Sequence, residues 1–211
     1  MRVLVTGIGR SGTKYMSEVL TRCGLRCTHE GFVRSSSVSA PVLPPDVAES
    51  SWQAAVFLGK WKVPMVVVHQ VRDPLQWLSS WVDTVWGADP PPMAVSFLSR
   101  CSGVNWIKEK KRDPVGSAMR LWSLWNSLIE PYAIRRYRVE DVDCELVSWI
   151  LKAADKKPNA ARIEGVLRRV SKKTNARPKT SVFDWKSLPD VRGRDAFVAR
   201  AIRYGYQAEE K

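Results

Sequence analysis

Three groups of residues in this chain are suited to chemistry on an anion. The first is Gly7-Ile8-Gly9-Arg10-Ser11-Gly12-Thr13-Lys14, set between a β-branched run and a pattern of helical period. Glycines let the backbone turn its amide N–H groups inward, and the start of the next helix adds a favourable dipole. Together they make a cradle for phosphate-like groups. Gly7 and Gly12 match the spacing of G-x-x-x-x-G-K-[ST], but Thr13-Lys14 reverses the last two residues. The cation comes before the second glycine instead, from Arg10.

The second group is Arg72-Asp73-Pro74, with Ser80 eight residues after Arg72. Arginine offers a permanent, forked charge and serine a hydroxyl donor near a helix start, a pairing suited to a phosphate. The third is His29-Glu30, with Glu30 seventeen residues after Thr13. A carboxylate can take the proton of a reacting hydroxyl. Histidine, with an ordinary pKa near ~6.5, can do the same. Neighbours on a strand face opposite ways, so the two are not expected to reach one acceptor.

The elements that must position these groups follow from periodicity. Residues 2–6 read as a buried first strand, and 13–22 as a helix with Tyr15, Met16, Val19 and Leu20 inward, closed by Gly24. Residues 25–28 suit a second short strand, 35–45 a Ser/Pro loop and 49–60 a helix. Residues 63–71 form the strongest strand, apolar on both faces as a central parallel strand is. Pro74 opens a helix whose stripe of Trp77, Leu78, Trp81, Val82, Val85 and Trp86 is expected in the core. Residues 88–92 break the chain, and 103–114 read as a charged loop. A helix is expected over 115–130, a strand over 133–139, a helix capped by Asp141 or Asp143, and a last helix near 195–204. Strands alternating with helices imply an α/β protein: a three-layer sandwich with a mostly parallel central sheet, in a single domain spanning 1–211.

The 211 residues carry 34 Lys and Arg against 21 Asp and Glu, a net charge of +13 that favours anionic partners. Ten of the basic residues fall within 152–179, against Asp155 and Glu164; a solvated face and a role beside a phosphate both fit. Cys23 and Cys27 are spaced C-x3-C with no second pair nearby, so free, mostly buried thiols and no metal site are expected. The first residues lack the apolar region of a signal peptide, and no apolar run is long enough to cross a bilayer, so a cytoplasmic protein is expected.

Gly9-Arg10-Ser11-Gly12-Thr13 after a first strand resembles the 5′-phosphosulfate loop of the sulfotransferases that use 3′-phosphoadenosine-5′-phosphosulfate (PAPS). Arg72 with Ser80 resembles the same family's 3′-phosphate signature. Tyr137-Arg138-Val139-Glu140-Asp141-Val142 is similar to its late strand-to-helix segment, although Val139 stands where an aromatic residue is common. The segment 183–188 and Tyr204-Gly205-Tyr206 look like the C-terminal region of bacterial members. The resemblance implies a P-loop NTPase-like fold and sulfuryl transfer from PAPS, with 3′,5′-ADP as product and no metal. It implies a donor site made by Gly9, Arg10, Ser11, Gly12, Thr13, Lys14, Arg72 and Ser80, and a Glu as base, which selects Glu30 with His29 as the alternative. Arg10 would stabilise the leaving group. The acceptor, a hydroxyl or amine, is not named by the sequence; the charge suits an acidic or glycan-like one.

Two other functions compete. A nucleoside or small-molecule kinase would use Mg-ATP on the same loop, but it normally needs an acidic metal ligand, and Asp73 is offset behind Arg72. A basic, non-catalytic nucleic-acid binder would explain the charge, but the chain has no recognised nucleic-acid motif.

Overall fold

The computed structural model describes residues 1–33, 39–88, 93–171 and 180–206. They gather into two compact units. The first comprises Met1–Val71 with the described part of Leu128–Ala176, and the second Arg72–Ser127 with the described part of Arg177–Lys211.

The first unit is built on five strands: β1 (Arg2–Thr6), β2 (Cys27–His29), β3 (Ala48–Ser50), β4 (Met65–Val71) and β5 (Arg135–Arg138). They pair in the order β2-β3-β1-β4-β5, every pair parallel. The expected α/β class therefore holds, with a sheet that is wholly parallel. Parallel strands are stable when covered on both faces, and Val3, Val5 and Val68 on one face and Leu4 on the other are all inaccessible to solvent. Helix α1 (Thr13–Arg22), α6 (Cys144–Ala153) and α7 (Ala160–Arg169) share one apolar core with Val3, Val5, Val66 and Val68. Each fully buried Val or Leu contributes about 1.5–3 kcal/mol to holding this stack together.

Strand β1 is where the chain order reverses, because β2 and β3 lie to one side of it and β4 and β5 to the other. Ligand sites of open parallel sheets form outside the C-terminal strand ends at such a point. The register aligns those ends: His29 is level with Ser50, Ser50 with Val5, and Val5 with Val68. The turn after Thr6 and the residues after His29 therefore leave the same edge.

The second unit holds α2 (Pro74–Trp81), α3 (Met93–Ser102), α4 (Trp106–Arg112), α5 (Pro114–Ile129) apart from its last two residues, and α8 (Arg194–Arg203). Asp73 caps α2 by accepting the Gln76 amide at 2.8 Å, and Pro74 takes the first helical position. The helix continues as a π-helical turn over Val82–Trp86. Tryptophan dominates this core: Trp77 stacks on Trp81 at 5.1 Å, Trp86 meets Trp81 edge-on at 5.5 Å, and Trp122 packs on Phe197 at 5.0 Å. The stripe of α2 is core as expected, except that Val82 is only half-buried.

Several elements differ from the sequence reading. The helix expected over 49–60 is the short strand β3 followed by a 3₁₀ segment over Gln53–Lys60. Glu49 and Ser50 take strand pairing from neighbours on both sides, which local propensity does not register. The expected charged loop contains α4, started by Asn105, whose side chain accepts the Lys108 amide at 3.0 Å. Helices α3 and α7 were not anticipated; α7 lies within the basic stretch and is capped by Asn159. Asp143, rather than Asp141, caps α6, accepting the Leu146 amide at 2.8 Å. All four cysteines are free; Cys23 and Cys27 are buried, but Cys101 is exposed. Part of the Ser/Pro loop, most of the break at 88–92 and the basic residues Lys172, Lys173, Arg177 and Lys179 lie outside the described residues. No helix among the described residues is long and apolar enough to cross a membrane.

Candidate functional site

The glycine-rich run forms a tight turn from the end of β1 into α1. Two of its residues take left-handed backbone, Arg10 at φ 71° and Gly12 at φ 98°. A non-glycine residue there is uncommon and costs energy, so Arg10 is held in place by its surroundings. Ser11 closes the turn, donating its amide to the Ile8 carbonyl at 3.1 Å and its hydroxyl to the same oxygen at 2.6 Å. The first backbone bond of α1 runs from the Met16 amide to the Gly12 carbonyl, and no side chain caps the helix. The amides of Thr13, Lys14 and Tyr15 therefore have no acceptor within α1, which leaves three donors and the positive dipole end at the turn.

A buried network braces this turn. The Gln70 side-chain amide of β4 donates to the Ser11 carbonyl, and the Tyr137 hydroxyl of β5 donates to the Gln70 side-chain oxygen. Space is tight around it: a Cβ on Gly7 would stand 2.2 Å from the Gln70 carbonyl oxygen, and one on Gly12 2.9 Å from Val139 Cγ2. Val139 thus packs against the loop. The Ser50 hydroxyl fixes the far side by donating to the Thr13 carbonyl at 2.8 Å.

His29 and Glu30 come to this same turn. His29 Nε2 is 3.1 Å from Thr13 Oγ1 and 3.8 Å from Glu30 Oε1. Burial lowers the His29 pKa, with the positive charge of Lys14 acting in the same direction, so the imidazole is neutral. Burial pushes the Glu30 carboxyl up to about 7, and the nearby Glu49 carboxylate adds to the shift, while an indole hydrogen bond from Trp52 opposes it. The expectation that His29 and Glu30 diverge fails for a simple reason. Strand β2 ends at His29, and Glu30 has a left-handed φ of 54°, so strand alternation does not extend to it.

Glu49 was not anticipated in the site. It is fully buried on β3, level with Thr28, whose hydroxyl donates to its Oε2. Its Oε1 has no hydrogen-bond partner among the described residues. Burial raises its pKa, opposed by the Thr28 hydroxyl and by the amides of residues 31–33. Gln70, Tyr137 and Ser50 were missed as well. For Gln70 the signal was available, a polar amide near the end of a run of valines. Tyr15, as expected, packs in the core at 1% exposure.

The remaining candidates belong to the second unit. Arg72 is half-buried, with Nη2 3.5 Å from Gln76 Oε1. Ser80 is buried on α2.

The chain matches no family model and no curated protein sequence.

Proposed function

We propose that the chain is a PAPS-dependent sulfotransferase with a P-loop-type fold. The observation that carries this reading is the uncapped start of α1, entered through left-handed Arg10 and Gly12, next to a carboxyl whose pKa is about 7. An anion cradle beside a base poised near neutral pH suits transfer of a sulfuryl group to a hydroxyl.

In this scheme the acceptor oxygen attacks sulfur in line with the bridging oxygen of the phosphosulfate. The new O–S bond forms as the bridging S–O bond breaks, and the electron pair leaves on the 5′-phosphate of 3′,5′-ADP. Glu30 takes the acceptor's proton. Arg10 and the amides of Thr13 and Lys14 stabilise the growing charge. Ser11, whose amide and hydroxyl both serve the turn, shapes the loop, with Gly12 supplying its left-handed conformation and Gly9 lying within the cradle. His29 binds the Thr13 hydroxyl and stands beside Glu30, so it orients rather than replaces the base. The assignment of Arg72 and Ser80 to the donor's 3′-phosphate rests on the sequence signature alone. A cytoplasmic location goes with a soluble nucleotide donor.

The test is donor binding followed by turnover. Thermal stabilisation by 3′,5′-ADP without metal, and transfer from labelled PAPS in a panel of hydroxyl and amine acceptors, are expected. Stabilisation by Mg-ATP with none by 3′,5′-ADP would replace this reading with a kinase.

A further inference from the structure

The C-terminal end of α1 carries a second concentration of positive charge. Arg22, Arg162, Val166 and Arg169 line a cavity of about 460 Å³ in the first unit. That volume lies within the roughly 300–1,000 Å³ of small-ligand sites. Arg22 and Arg162 meet at the helix end, where Arg162 Nε donates to the Arg22 carbonyl at 2.8 Å and its guanidinium lies over Gly24. Arg169, two turns along α7, uses Nε to bond the Gly165 carbonyl at 2.9 Å.

The bonds they make leave the guanidinium forks available. Among the described residues, Nη1 and Nη2 of both Arg162 and Arg169 have no hydrogen-bond or ion-pair partner. Arg22 is offset by a single carboxylate, Glu18, 2.6 Å from its Nη2. Three guanidinium groups therefore face one cavity against one acidic group. Like charges gathered this way repel each other until a counter-ion enters. All three cations are arginine although lysines are frequent nearby, and the planar fork suits the paired oxygens of a phosphate or sulfate. Val166 adds an apolar side chain to the lining. The cavity is also separate from the phosphate loop. Arg22 lies nine residues beyond Thr13, a rise of about 14 Å along α1, at the opposite helix end.

We propose that Arg22, Arg162 and Arg169 form a second oxyanion site, one that takes a phosphate or sulfate monoester independently of the glycine-rich loop. Its ligand is a small tetrahedral dianion rather than a polymer, because the charge is gathered around one cavity of small-ligand size. The site does not depend on the sulfotransferase reading.

Titration of the 15N-labelled intact chain with inorganic phosphate at low ionic strength tests the site. Saturable shifts are expected at the amides of Gly24 and Val166. Arg169→Glu should weaken that response at least tenfold; the residue is exposed and, among the described residues, its hydrogen bond stays within α7, so the fold should survive. Arg10→Ala should leave it intact. Shifts confined to residues 7–14, equal affinity in Arg169→Glu, or a response to an anionic polymer with none to phosphate would each overturn the proposal. Because the signals are read residue by residue, failure here is distinguishable from failure of donor binding at the loop.

Discussion

His29 Nε2 stands 3.8 Å from Glu30 Oε1, although the two are consecutive residues at the end of a strand. The left-handed backbone of Glu30 brings its carboxyl to the side on which His29 already holds the Thr13 hydroxyl. With the imidazole neutral and the carboxyl titrating near 7, the pair does not behave as a simple ion pair.

Glu30 should be seen to titrate at about 7 by carboxyl 13C NMR. Glu49→Gln, which keeps an acceptor for the Thr28 hydroxyl but removes the neighbouring negative charge, should lower that value. An unchanged Glu30 midpoint in the variant would mean that burial alone sets it.

The same shift makes stability depend on pH. Below the unfolded value of 4.5, Glu30 is protonated in both states. Between 4.5 and about 7 the unfolded chain loses its proton first, so the folded state loses stability as pH rises through this window. A change of this size corresponds to roughly 2–3 kcal/mol for a largely covered carboxyl. Urea unfolding at pH 5 and pH 8 should show it as a difference that Glu30→Gln removes.

Gln70 should matter more for the loop than its distance in sequence suggests. Gln70→Leu removes the donor to the Ser11 carbonyl and the acceptor of the Tyr137 hydroxyl, leaving two buried polar groups unmatched. A loss of about 1–3 kcal/mol for each stranded group is expected in denaturant unfolding, with weaker anion binding at the turn.

Gly12→Ala should also destabilise, by roughly 1–3 kcal/mol for a strained left-handed position. The added Cβ would meet Val139 Cγ2 at 2.9 Å and Gln70 Nε2 at 3.1 Å. Val139→Ala should recover part of that loss if the steric contact contributes, which thermal unfolding of single and double variants can measure.

On the proposed chemistry, two substitutions should separate binding from turnover. Arg72→Ala is expected to weaken 3′,5′-ADP binding about ten- to a hundredfold, as loss of a charged hydrogen bond of about 1.5–3 kcal/mol does. Glu30→Ala should leave that affinity near the parent value and slow sulfuryl transfer roughly 10²–10⁴-fold. Calorimetry and single-turnover rates distinguish the two, and an unchanged rate in the Glu30 variant would reassign the base.

The long periodic elements, β1, α1, β4, α2 and α5, were legible in the sequence because hydrophobic spacing and turn residues act over a few positions along the chain. The parallel class and the turn carrying Arg10 and Gly12 were legible for the same reason. Strand β3 was not, because Ala-Glu-Ser has no strand pattern and becomes one only between β1 and β2. Burying Glu49 there puts a carboxylate beside Glu30, and parallel pairing brings Gln70 of β4 and Tyr137 of β5 to the Ser11 carbonyl. Residue types and local spacing thus determined where an anion could be held. Which carboxyl titrates near neutral pH, and what braces the loop, depended on burial and long-range pairing, and these arise only when distant strands come together.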